Sequence, residues 1–122
     1  QALYYNRNGM LESFQINCYA GGFPNLKWNR DQIFETFPPK QQAPVDSLFD
    51  LTAHLRFLHP LSQTTAKDPQ KTDYFVIVHW NRFMGRQTRR LIRYVQKNAK
   101  LTTDQQLKIV YVNNDNQFLK DF

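Results

Sequence analysis

The first part of the chain has the hydrophobic pattern of a β-hairpin. Apolar residues at 2–5 precede an Asn-Arg-Asn-Gly segment at 6–9, and residues 10–19 then alternate between apolar and polar side chains. Asn-Gly is a strong turn signal because both residues tolerate positive φ, and a period of two is typical of a half-buried strand. A hairpin is therefore predicted over residues 2–19. Its second strand should point Phe14, Ile16 and Cys18 inward and Ser13, Gln15 and Asn17 outward.

The middle of the chain has a helical pattern between proline-containing segments. Residues 25–37 are predicted to form a short helical piece. Residues 38–45 are predicted to be an extended connector, because proline lacks an amide donor and restricts its predecessor. Leucines then recur at spacings of three and four, which predicts a helix with one apolar face and Asp46 as its N-cap. Those leucines are Leu48, Leu51, Leu55 and Leu58.

The last third of the chain predicts a strand, a helix and a second strand. Residues 74–78 are an uninterrupted run of apolar strand formers, which is typical of a central strand buried on both faces of a parallel sheet. Residues 86–100 are helical by their period, and residues 107–112 have the composition of another strand. Two strands joined in this way by a helix predict a right-handed βαβ unit.

Length and composition fit one folded domain. With 122 residues and a hydrophobic fraction of 41%, the chain can bury one core, so residues 1–122 are predicted to be a single domain. Its predicted parts are the hairpin and short helical segment (1–37), the connector (38–45), and the helix with the βαβ unit (46–122). No apolar run is long enough to span a bilayer.

The residues between the predicted central strand and its helix read His-Trp-Asn-Arg-Phe-Met-Gly-Arg-Gln at 79–87. This segment resembles the active-site segment of the thioredoxin family, in which a strand leads into Trp-Cys-Gly-Pro-Cys and a helix. Phe83 stands at the place of the family's tryptophan and Gly85 at its glycine. The two cysteines and the proline are replaced by Met84, Gln87 and Arg86, respectively.

The resemblance implies a thioredoxin-like α/β fold, with a mixed sheet, a βαβ unit in the C-terminal half and an N-terminal β-hairpin. It also implies that dithiol chemistry is absent, because Met84 has no ionisable thiol and Gln87 cannot resolve a mixed disulfide. After the second strand of the βαβ unit, thioredoxin chains continue with a helix, a hairpin introduced by a cis-proline and a final helix. Only residues 117–122 remain here. Either the N-terminal hairpin or a partner chain would complete such a rearranged or incomplete sheet. Another small α/β arrangement is the alternative.

A binding surface is expected where the central strand ends, because open α/β sheets bind ligands at the carboxyl edge of their strands. The chain is therefore predicted to be a redox-inactive, protein-binding module rather than an enzyme, without a cofactor or metal. The helix at 86–100 also carries a basic stripe, and no acidic residue lies between 74 and 103. The alternative is thus an anion- or nucleic-acid-binding module, and the structural alternative is a solvated helix face. The predicted binding residues are Trp80, Arg82, Phe83, Met84, Arg86, Gln87, Arg90, Arg93 and Lys97.

Charge and the chain start affect the expected partners and compartment. The formal net charge of +6 favours acidic partners, so a protein partner is expected, and an anionic ligand or a homodimer is also compatible with the sequence. The first residue is Gln1, as it would be after removal of a signal peptide from an exported or periplasmic bacterial protein, or after trimming of the chain. His54, His59 and His79 are far apart in sequence, without metal-ligand spacing, and are expected to be structural.

Overall fold

A computed structural model describes residues 1–16, 32–41, 45, 49–58, 72–83 and 85–115. The strands are β1 (Ala2–Asn6), β2 (Leu11–Gln15), β3 (Tyr74–Trp80) and β4 (Leu107–Asn113), and the helices are α1 (Leu51–Arg56) and α2 (Gly85–Ala99). The four strands form one mixed sheet in the order β2-β1-β3-β4. The predicted α/β class is confirmed. Neither helix is long and apolar enough to cross a membrane.

The pairing directions confirm both the hairpin and the βαβ unit. β1 is antiparallel to β2 on one side and to β3 on the other, and β3 is parallel to β4. The N-terminal hairpin therefore belongs to the same sheet as the two parallel strands of the βαβ unit. Its turn is built as the Asn-Gly signal predicts: Gly9 has a φ of 75°, and the Asn6 side-chain oxygen accepts hydrogen bonds from the amides of Asn8 and Met10 at 2.9 and 3.0 Å.

β3 is an interior strand of the sheet, with α2 packed on one face and α1 on the other. Its residues 75–78 are almost completely buried, because β1 and β4 pair with its edges and side chains from other elements cover both faces. Val76 and Val78 lie on the face covered by α2, together with Leu91 and Val95 of that helix. The opposite face carries Phe75 and Ile77, which belong to the same apolar cluster as Leu51 of α1. A run with no polar residue fits a strand with two buried faces.

β2 contains a β-bulge and packs side chains on both of its faces. Tyr4 pairs with Ser13 and Tyr5 pairs with Leu11, so Glu12 is an extra residue without a partner in the register. Ser13 and Gln15 therefore face the α2 side and are fully buried, whereas the half-buried Phe14 packs on the other face. The prediction that Ser13 and Gln15 point outward was wrong, because both faces of the sheet are covered and these two residues pair with the buried Tyr4 and Ala2 on the α2 side. Ile16 is half-buried, and Asn17 and Cys18 lie outside the described residues.

Two predictions for the middle of the chain are also corrected. α1 is shorter than the leucine spacing suggests, and its N-cap is Asp50, whose side chain accepts a hydrogen bond from the Ala53 amide at 2.6 Å. Asp46 and Leu48 lie outside the described residues. Residues 33–37 form turns and bends rather than the end of a helix. The Phe37–Pro38 peptide bond is cis, and the Phe37 ring packs against Tyr74 at the start of β3.

Asn98 joins this irregular segment to α2. The Asn98 side chain is 1% exposed, and its Nδ2 donates hydrogen bonds to the carbonyl oxygens of Phe34 at 2.6 Å and Thr36 at 2.8 Å. The Phe34 ring stacks on Tyr94 of the same helix, with 4.9 Å between ring centroids. The Asn98 side-chain amide thus donates to two backbone carbonyls of a segment without regular secondary structure.

We expect Asn98→Ala to lower the free energy of unfolding by about 1 to 3 kcal/mol, because the buried Phe34 carbonyl and the partly buried Thr36 carbonyl both lose this donor. Urea denaturation followed by circular dichroism measures this loss. The neighbouring exposed Lys97 is the control, and Lys97→Ala should change stability by less than about 0.5 kcal/mol. Equal effects of the two substitutions would contradict the assigned role of Asn98.

Candidate functional site at the carboxyl end of the central strand

The loop after β3 is held by groups from β4 and α2. The Arg82 amide donates to Asp115 Oδ1 at 2.9 Å, and the Asn114 amide donates to the Trp80 carbonyl at 2.9 Å. The Thr88 hydroxyl, in the first turns of α2, donates to the Asn81 carbonyl at 3.2 Å. These bonds fix the loop at the edge of the sheet where β3 and β4 both end, which is the edge that open α/β sheets use for binding.

A shallow groove of about 480 Å³ lies between this loop, α2 and β4. Trp80, Ile92 and Tyr111 supply its apolar and aromatic surface, while Arg82 and Arg89 supply guanidinium groups. The Arg89 Nε donates to the Gly85 carbonyl at 3.2 Å, which keeps the base of that side chain over the first turn of α2. The groove thus combines aromatic surface with positive charge.

The Phe83 side chain increases the apolar character of this surface. It is 90% exposed, although a phenylalanine side chain is stabilised by burial. Arg82 precedes it in the loop, and the Arg82 Nε lies 3.9 Å from Asp115 Oδ2, an ion pair on a side chain that is mostly in solvent. A partner that covered Phe83 would remove a large apolar side chain from water close to positive charge.

The predicted binding residues fall into two groups. Trp80 and Arg82 line the groove and Phe83 is in the adjoining loop, whereas the remaining described residues follow the first turn and the outer face of α2. That second group is Arg86, Gln87, Arg90, Arg93 and Lys97; Gln87 is half-buried and the other four are exposed. Met84 lies outside the described residues. At about 100° per residue, the basic stripe is centred about 100° around α2 from the groove, so the two groups are separate surfaces.

The interpretation of the sequence missed Arg89, Ile92 and Tyr111, which complete the groove. Ile92 is one turn after Thr88 on α2, and Tyr111 is two residues before the end of β4. The signal for Tyr111 is its parity, because Ile109 on the same face packs against the α2 side of the sheet. The signal for Arg89 and Ile92 is the helical spacing that places them beside Gly85.

On the opposite face of the sheet, two histidines that are 25 residues apart in sequence meet end to end. His54 Nε2 lies 3.0 Å from His79 Nε2, the ring planes differ by 5°, and the ring centroids are 5.1 Å apart. With facing nitrogens so close, a centroid separation this large places the rings edge to edge rather than face to face. Both ends of the pair are hydrogen-bonded as well, His54 Nδ1 to the Tyr5 hydroxyl at 2.7 Å and His79 Nδ1 to Asn114 Oδ1 at 3.1 Å.

The hydrogen bonds determine the tautomers of the neutral pair. An amide oxygen can only accept, so His79 Nδ1 carries a proton and donates to Asn114. His79 Nε2 then accepts from His54 Nε2, which leaves His54 Nδ1 to accept from the Tyr5 hydroxyl. In this series of hydrogen bonds from Tyr5 to Asn114, each of the four ring nitrogens has a partner when both rings are neutral. Two charged rings would place N–H groups against each other at Nε2.

Burial is the largest influence on the pKa of both histidines. It lowers the pKa of His54 from 6.5 to about 4, and the neighbouring His79 contributes in the same direction. It also lowers the pKa of His79, although the hydrogen bond to Asn114 acts the opposite way. Both rings are therefore neutral at pH 7. The sequence analysis did not predict the contact between His54 and His79.

No protein-family model, curated protein or solved structure matches this chain. Within the described residues, there is also no group of three or more His, Cys, Asp or Glu side chains that could hold a metal ion.

The histidine pair predicts a loss of stability in acid. Because the pKa of His54 is lower in the folded chain, the unfolded chain binds more protons below pH 6.5. The free energy of unfolding should therefore be highest above pH 6.5 and fall, by on the order of 3 kcal/mol from this group, as the pH decreases to 4. Urea denaturation at several pH values measures this dependence.

His54→Gln is the comparison variant, since glutamine can donate and accept but does not titrate. The difference in stability between the wild type and His54→Gln should shrink or reverse between pH 6.5 and pH 4. Two parallel pH profiles would show that His54 does not titrate with the expected shift.

Proposed function

We propose that this chain is a redox-inactive, thioredoxin-like domain that binds an acidic segment of another protein at the groove beside Trp80. The observation that carries the proposal is the groove itself, in which Trp80, Ile92 and Tyr111 lie next to two guanidinium groups. Such a surface suits a peptide that carries an aromatic or aliphatic residue close to carboxylates, because the apolar side chain gains burial and arginine binds carboxylates bidentately.

The thioredoxin-like part of the proposal is supported by the position of α2. It begins at Gly85, after β3, within the segment where the family has its two cysteines, and it connects two parallel strands. The antiparallel hairpin beside β3 occupies part of the sheet that the family builds after its βαβ unit. One feature departs from the family: the cis bond at Phe37–Pro38 lies near the start of β3, away from the groove.

The acidic character of the partner is supported by the charges near the groove. No acidic residue lies between 74 and 103 in the sequence, and the first turn of α2 contains none. Asp115 is the nearby carboxylate, and it is already engaged by the Arg82 amide. The N-terminal end of α2 adds a partial positive charge from its free amides. A segment that brings carboxylates to this edge would meet complementary charge.

The basic stripe on α2 supports a second candidate, the binding of nucleic acid. Arg86, Arg93 and Lys97 are exposed and form no ion pair within the part of the chain that the structure describes. Phosphate contacts by such a stripe would make affinity fall steeply with salt. Because the stripe and the groove lie on different faces of one helix, variants can separate the two functions.

A fluorescence-anisotropy titration with a labelled 12-residue Asp/Glu-rich peptide containing one central Phe tests the proposal. Removing two charges at the groove, with Arg82→Ala and Arg89→Ala together, should weaken binding at least tenfold, about 1.4 kcal/mol. Removing two charges from the stripe, with Arg93→Ala and Lys97→Ala, is the charge-matched control and should weaken it less than threefold. Replacing the central Phe of the peptide by Ser should weaken binding to the wild type.

Equal losses in both double variants would show that the peptide senses only net charge and would contradict the groove. A greater loss in the stripe variant, together with retention on heparin that falls steeply with salt, would favour the nucleic-acid candidate. Thermal unfolding of each variant shows whether the fold is kept.

The family resemblance can be tested by restoring the cysteines. In a Cys18→Ser chain, Met84→Cys with Gln87→Cys should form a reversible intramolecular disulfide in glutathione buffer and reduce insulin, because the proposed correspondence gives these two sequence positions to the family's cysteines. Met84→Cys alone is the control and should form only mixed disulfides. A double variant that forms no internal disulfide would contradict the proposed correspondence with the thioredoxin active site.

A further inference from the structure

His54 and His79 have the arrangement of two metal ligands that point at each other. Their Nε2 atoms are 3.0 Å apart in nearly parallel rings that lie edge to edge, so the outward in-plane directions of the two nitrogens are close to a common line. The His54 side chain is almost fully buried and His79 is half-buried, which leaves little water to compete for these nitrogens. Neutral imidazole is a common ligand for transition metals.

The outer hydrogen bonds suit this role. An imidazole that binds a metal through Nε2 carries its proton on Nδ1, and that N–H is usually held by an acceptor. Asn114 Oδ1 is such an acceptor for His79, at 3.1 Å. The Tyr5 hydroxyl oxygen, 2.7 Å from His54 Nδ1, can also accept when its own proton turns away from the ring. Each ring therefore has a partner that can hold it in the ligating tautomer.

The ligand set selects the kind of cation. Magnesium and calcium prefer oxygen ligands, and structural zinc usually takes four nitrogen or sulfur ligands. Here two imidazoles face each other, and no group of three or more candidate ligand side chains occurs among the described residues. Two neutral nitrogens on one line fit a monovalent d¹⁰ cation, which accepts two ligands in a linear arrangement.

We propose that His54 and His79 bind one Cu⁺ or Ag⁺ ion between their Nε2 atoms. The nitrogens have to separate from 3.0 Å to roughly 4 Å, twice a usual metal–imidazole bond of about 2 Å. His54 is carried by α1, a helix of six residues, so a small shift of this short element is enough. Binding moves the His54 proton from Nε2 to Nδ1 and requires no net release of protons at pH 7.

Anaerobic titration of Cu⁺ in competition with a chromophoric chelator tests the site. The background is Cys18→Ser, because a thiolate binds Cu⁺ strongly. This chain should bind one equivalent, and His54→Gln or His79→Gln should each weaken binding at least tenfold. His59→Gln is the matched control and should change the affinity less than threefold. Unchanged affinity in either of the first two variants, or loss caused by His59→Gln alone, would overturn the proposal.

A measurement on the unsubstituted histidines covers the case in which a variant fails to fold. In long-range ¹H–¹⁵N spectra of the Cys18→Ser chain, Ag⁺ should shift the Nε2 signals of His54 and His79 and change His54 from the Nε2–H to the Nδ1–H tautomer. Spectra in which these two rings are unaffected by one equivalent of Ag⁺ would contradict the site.

Discussion

β3 is hydrogen-bonded along both edges, and the positions of the other elements follow from this pairing. β1 runs antiparallel along one edge of this strand and β4 parallel along the other, and apolar side chains cover both of its faces. A strand in this position can satisfy its backbone groups in the sheet and bury every side chain, which explains five consecutive strand formers with no polar residue. Its direction then determines which ends of β4 and α2 come together.

Alternation along β3 explains why two different sites lie at the same end of the sheet. His79 and Trp80 are consecutive, so their side chains point to opposite faces. Trp80 enters the groove beside α2, whereas His79 meets His54 of α1. The two residues after β4 are divided between the sites in the same way. Asn114 accepts a hydrogen bond from the His79 ring, and Asp115 accepts one from the Arg82 amide. Two adjacent pairs of residues thus build the metal site that we propose on one face and the binding groove that we propose on the other.

The elements that could be predicted are those with a strong local signal. The Asn-Gly turn, the apolar run of β3, the period of α2 and the β4 strand all depend on residues that are close in sequence. The parallel direction of β3 and β4 followed from the helix between them, since parallel neighbours need a long crossover. The positions of Trp80, Arg82 and Phe83 at the end of the central strand follow from the same local pattern.

The remaining features depend on contacts that local patterns do not contain. The bulge at Glu12 is specified by pairing with β1, and Ser13 and Gln15 are buried because the face that they share with Tyr4 and Ala2 is also covered. Asp50 rather than Asp46 caps α1, where the Gly9 carbonyl of the hairpin turn also accepts a hydrogen bond from the Leu51 amide. The face on which each histidine lies follows from local spacing, whereas the contact between the two rings does not. His54 follows Leu51 by three residues on the apolar side of α1, and His79 continues the parity of Phe75 and Ile77 toward the same face.

Both proposed sites depend on the parallel register of β3 with β4, because each requires the two strands to end at the same edge of the sheet. Interstrand NOEs in a labelled, deuterated chain measure it most directly. We expect backbone contacts between Val76 and Ile109 and between Val78 and Tyr111, so that residue numbers increase together along the two parallel strands. Contacts that instead pair Tyr74 with Asn113, as in an antiparallel arrangement, would contradict it.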